Sequence, residues 1–186
     1  MKNEKFLGAV GLPAGRDFID VEGSMVPTWH IRLGAALLGM DKVKYQVWRY
    51  ARVPGPRATL TALMERRGVT DGEHILESLI TEGAICQFSE SLAEVESLRI
   101  FPLGDAIGLR GPGATEYEVR TPKGETVVLS RVEYLFWVRS DGSTVGELVT
   151  WLSSEIGYDA AQASEIGRRI AFILTWRGVA RLDRAT

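Results

Sequence analysis

The chain is poor in the residues on which most site chemistry depends: it has one cysteine, Cys86, and two histidines, His30 and His74, among 186 residues. A single thiol excludes an internal disulfide and suits a reducing interior, and with so few imidazoles no Cys/His cluster has metal-ligand spacing. Net positive charge is missing too, since 22 basic residues face 24 acidic ones for a formal net charge of -2. No overall field draws the chain to nucleic acid or to an anionic membrane. Apolar runs never approach the roughly 20 residues of a membrane span. The opening "MKNEKFLGAVGLPAG" has the lysines of a signal peptide. Its apolar stretch from Phe6 to Ala14 is short, holds two glycines and a proline, and follows Glu4, so it is not read as one. A cytoplasmic location is expected.

Catalytic signatures are equally scarce. There is no Gly-x-Ser-x-Gly elbow, phosphate loop or HExxH helix. His30 falls in an expected strand and His74 in the first turn of an expected helix, where packing or surface roles are the ordinary ones. Cys86 follows "E-G-A-I" and reads as a buried small hydrophobe. The segments "G-P-G" and "L-P-A-G" are not followed at once by a helix start, as phosphate cradling requires. The expectation is a protein with no catalytic residues, no metal and no cofactor.

What the chain does have is a pattern used twice. "V-K-Y-Q-V-W" (43–48) and "V-E-Y-L-F-W" (132–137) share Val-x-Tyr-x-apolar-Trp. The flanks recur in the same order, offset by about 90 residues: "L-G-A-V-G-L-P-A-G" with "L-G-D-A-I-G-L-R-G", "T-L-T-A-L" with "T-V-G-E-L", and "L-I-T-E-G-A" with "L-T-W-R-G-V". An ordered series of matches is the mark of a duplicated unit. The Tyr and Trp of the motif stand three apart beside an apolar stripe, a spacing that favours packing of the helix over gripping a ligand.

The second copy reads as strands at 105–110, 117–120 and 126–129, separated by the turn chemistries "G-P-G-A-T" and "T-P-K-G-E". Three helices follow. Ser130 with Glu133 makes a capping box for the first. Val145, Leu148, Val149, Leu152 and Ile156 form the stripe of the second, stopped by Gly157. Asp159 caps the third, whose stripe is Ile166, Ile170, Ile173 and Leu174. In the first copy "K-F-L-G-A-V-G-L", "F-I-D-V-E" and "M-V-P-T-W-H-I-R" are the expected strands, with Pro27 making the last an edge or late-starting strand. Helices are expected from Asp41, near 59–67 and near 71–82, while "L-G-A-A-L-L-G-M" (33–40) has no counterpart. The polar join "S-E-S-L-A-E-V-E-S" (89–97) is read as a linker or a helical turn. The fold class is therefore α+β, with lobes at 1–90 and 98–186, each a three-stranded antiparallel sheet followed by three helices.

Asp141-Gly142, Thr144, Glu147-Leu148 and Gly178-Val179 follow the Asp-Gly, Thr-apolar-x-Glu-Leu and Gly-apolar pattern of the PqqD-like family. Over about 103–183 the chain resembles that family, winged-helix elements that recognise precursor peptides for modifying enzymes. The resemblance implies two winged-helix-like lobes and a peptide added as a strand beside the third strand, in a groove against the third helix. That mode is β-augmentation, in which an open sheet edge supplies backbone donors and acceptors. Carried over by position, the site is Thr126, Val127, Val128 and Leu129 on the edge and Ile166, Arg169, Ile170 and Ile173 on the wall. In the first copy the matching edge is 28–31, which includes Trp29 and His30. The partners implied are a peptide or protein and a modifying enzyme.

Two rivals use the same elements. A tandem winged-helix DNA regulator gains from five arginines between 168 and 184, but Asp71, Glu73, Glu77 and Glu82 give the first copy's third helix a poor face for phosphate. A scaffold whose copies mimic a dimer needs no groove. A response to peptide without one to duplex DNA separates these readings.

Overall fold

The computed structural model describes residues 6–88 and 93–184. The lysine-bearing start and the centre of the join, residues 89–92, lie outside them. By contact the described residues divide into two compact units, 6–88 and 93–184. Both mix helices with small antiparallel sheets.

The first unit runs β1 (Phe6–Ala9), β2 (Leu12–Val21), β3 (Ser24–Leu33), β4 (Ala36–Met40), α1 (Lys42–Tyr50), β5 (Gly55–Pro56), α2 (Arg57–Arg66), α3 (Gly72–Thr81) and β6 (Ile85–Phe88). Its sheets have the orders β2-β3-β4 and β5-β1-β6. The second runs α4 (Ala93–Glu96), β7 (Leu98–Pro102), β8 (Asp105–Leu109), β9 (Glu116–Arg120), β10 (Thr126–Ser130), α5 (Arg131–Arg139), α6 (Val145–Trp151), α7 (Ala160–Trp176) and β11 (Ala180–Arg184). Its sheets are β10-β9-β8 and β11-β7, with a bridge from Arg99 to Thr144 where the first unit has β5.

The same physical devices recur at matching places. Gly11 and Gly104 both sit at φ +89°, and a Cβ on either would run into the carbonyl oxygen of Arg32 or Arg120. Only glycine suits a turn pressed so closely on a neighbouring strand. Register slips at Gly15 in β2 and at Gly108 in β8, both bulges at positive φ. Each unit stacks a strand aromatic on the tyrosine and then the tryptophan of its first long helix. The ring centroids of Trp29–Tyr45 and Tyr45–Trp48 are 6.3 and 5.6 Å apart, and those of Tyr117–Tyr134 and Tyr134–Trp137 are 4.2 and 5.9 Å apart. Both tryptophans are buried, and their indole N–H groups donate to Val10 O and Val179 O. The repeated motif thus fixes a helix to its own sheet.

Four expectations need correction. The strand from "M-V-P-T-W-H-I-R" is β3, the central strand of its sheet, and it starts at Ser24, before Pro27. Proline is tolerated because β4 pairs with residues 29–33, and among the described residues no strand lies on that side of Pro27. "L-G-A-A-L-L-G-M" contains β4, the missing third strand and the match of β10; its leucine, alanine and glycine residues carry little β-propensity, which hid it. "K-F-L-G-A-V-G-L" contributes β1 to a different sheet. Ile156 also leaves the stripe expected of it: a π-helical turn over Leu152–Ile156 rotates it outward, to 38% exposure.

Candidate functional site

Among the described residues β10 is an edge strand, paired with β9 on its other side. Which of its groups face outward follows from the hairpin. Thr121 N–H donates to Glu125 O at 2.8 Å, so the opposed pairs alternate from there. Val127 and Leu129 exchange bonds with Val119 and Tyr117, whereas Thr126 and Val128 turn N–H and C=O away from the sheet. Side chains alternate as well: Leu129 is fully buried and faces the core, Val127 and Val128 are half-buried, and Thr126 is exposed. Of the four expected edge residues, Thr126 and Val128 therefore turn their backbone groups outward.

The expected helical wall divides in the same way. α7 starts at a capping box formed by Asp159 and Gln162 and buries Ala163, Gly167, Ile170, Ala171 and Leu174. Ile170 belongs to the core; Ile166 and Ile173 are half-exposed and Arg169 is exposed. α5 packs against β9, β10 and α7 and so ties strand to helix.

One residue of the site was missed. Arg177, the C-cap of α7, is half-buried and donates from Nη1 to Val128 O at 2.6 Å. The contact brings the end of the helix onto the edge strand and occupies one of its outward acceptors. A cation at a helix C-terminus is an ordinary sequence signal, but its reach to a strand 49 positions away depends on tertiary placement.

In the first unit the expected edge is displaced. Residues 28–31, Trp29 and His30 among them, lie in the central strand, and the edge is β4. Trp29 stacks on Tyr45, and His30 pairs across to Gly39, so neither borders an open edge. The two-residue turn Gly34-Ala35 makes Leu33 and Ala36 a bonded pair, and alternation leaves Leu37 and Gly39 facing outward. Glu82 stands where the second unit has Arg177, and it accepts from Lys44 Nζ and Ser78 Oγ.

Elsewhere, Cys86 is buried with its thiol against Gly8 O. Among the described residues, no three His, Cys, Asp or Glu side chains are grouped to hold a metal ion, and no helix is long and apolar enough to cross a membrane. No family model, curated protein or solved structure matches the chain.

Proposed function

We propose that the protein is a non-catalytic recognition factor made of two winged-helix-like, PqqD-like lobes, and that it binds an extended peptide by strand addition at the outer edge of β10, presenting that peptide to a modifying enzyme. The observation carrying this reading is the meeting of an open edge and a helix end: Thr126 and Val128 face outward, and Arg177 reaches Val128 O from α7. The half-exposed Ile166 and Ile173 offer apolar contact to alternate side chains of an added strand. A peptide seated there replaces the Arg177 contact with backbone hydrogen bonds.

Random linear 12-residue peptides displayed on phage supply the probe. Peptides selected on the full chain are expected to shift the intrinsic tryptophan fluorescence, to which Trp176, 53% exposed at the end of α7, contributes. Val128→Pro removes one outward N–H while sparing the bonds to β9, and losing one such bond, worth about 1 kcal/mol, weakens binding roughly fivefold. Selected peptides that bind Val128→Pro as tightly as the parent would contradict strand addition at this edge.

A further inference from the structure

The hairpin of β2 and β3 is far longer than its counterpart in the second unit. Both strands have ten residues, but β4 covers only 29–33 of β3, so the distal part stands out as a two-stranded arm. Every residue from Arg16 to Val26 is exposed, and Phe18, Ile19 and Val21 are each 47% exposed. Between the bulge at Gly15 and the turn at Glu22-Gly23, the free edge of β2 carries no lysine and no proline, two common guards against pairing.

The backbone of this edge is ordered for pairing. Glu22 and Gly23 both have positive φ, as in a two-residue type I′ hairpin, which makes Val21 and Ser24 a bonded pair. Alternation then turns the N–H and C=O groups of Arg16, Phe18 and Asp20 away from β3. Two details agree. Pro27, which has no N–H to offer, lies opposite Phe18, and the Phe18 N–H is taken by the exposed Asp17 carboxylate at 2.7 Å. A pairing strand replaces that local bond with a carbonyl.

We propose that this edge pairs antiparallel with the same edge of a second copy, in a two-fold junction centred on Phe18. The usable segment, 15–21, has Phe18 at its midpoint. In that register Phe18 opposes Phe18 of the second copy, and Arg16 opposes its Asp20 on both sides. All three outward-facing residues then become hydrogen-bonded pairs, their side chains lie on one face, and unlike charges meet twice. A shift of two residues keeps the backbone bonds but places Phe18 opposite Asp20 or Arg16. Charge complementarity therefore selects one register, and a two-fold contact has to be self-complementary in this way. A single strand junction lies at the small end of specific interfaces, so the expected Kd is in the micromolar range, roughly 1–100 µM.

Sedimentation of the full chain over a range of concentrations tests this. The parent is expected to pass from monomer to dimer. Arg16→Asp and Asp20→Arg, each alone, set like charges opposite one another and are expected to weaken the dimer at least tenfold. An equimolar mixture of the two variants restores complementary pairs at both ends and is expected to dimerise again. A parent that stays monomeric to about 1 mM, or a mixture that stays monomeric, overturns the proposal. An independent measurement guards against a disturbed arm: Phe18→Cys places two thiols across a bonded pair, with Cα atoms about 5.5 Å apart, within disulfide range. Mild oxidation is expected to give a covalent dimer with Phe18→Cys and none with Ser24→Cys at the turn. Equal cross-linking of both variants, or none with Phe18→Cys, contradicts the register.

Discussion

Single residues carry much of the local order. Gly104 turns the chain at φ +89° with the Arg120 carbonyl where a Cβ would stand. Gly104→Ala is expected to destabilise the protein by about 2–4 kcal/mol in chemical denaturation, because backbone strain and a clash with main chain add. Arg177 acts in the opposite sense on the proposed site. Its guanidinium competes with an incoming strand for Val128 O, so Arg177→Ala is expected to tighten binding of selected peptides by about threefold to tenfold, read from intrinsic fluorescence. Weaker binding would assign the guanidinium to the peptide itself.

Elements differ in how openly the sequence declares them. The helices of the second unit were legible because their signals are local: the Ser130–Glu133 capping box and the Asp159 cap both form as read, and the structure adds boxes at Thr144–Glu147 and Asp159–Gln162. β4 was not, because its residues carry little β-propensity, nor were β7 and β11, which pair with each other across most of their unit. At the candidate site the strand at 126–129 was readable from its β-prone run after a turn, and its role as an edge came only from the family resemblance; the reach of Arg177 and the central place of Trp29 and His30 depend on sheet order.

Two measurements probe packing between elements. Trp137→Phe removes the indole donor from Val179 O, which keeps the Leu103 N–H, and is expected to cost about 1 kcal/mol in denaturation. Glu73 joins α3 to α2 through the Thr61 hydroxyl and the Arg57 guanidinium, which lies 2.5 Å away, and these hold its carboxyl below the ordinary range of a glutamate. A lowered folded value means that the stabilisation is complete above the unfolded value and fades as pH falls through the folded one. The stability difference between the parent and Glu73→Gln is therefore expected to hold near neutral pH and to shrink as pH falls below the ordinary glutamate value of 4.5.

For the whole molecule, the repeated order of elements, glycines and ring stacks makes each unit a complete set of sheet and helices. Expressed separately, 1–89 and 90–186 are each expected to unfold cooperatively; failure of either fragment to do so would set the two-lobe reading aside. The proposed function rests on one edge of the second unit. Hydrogen exchange of the full chain, with and without a selected peptide, tests it residue by residue. Strand addition at β10 predicts new protection at the outward-facing Thr126 and Val128 amides and little change at Val127 and Leu129, already bonded to β9. Peptide binding that leaves Thr126 and Val128 unprotected would contradict it.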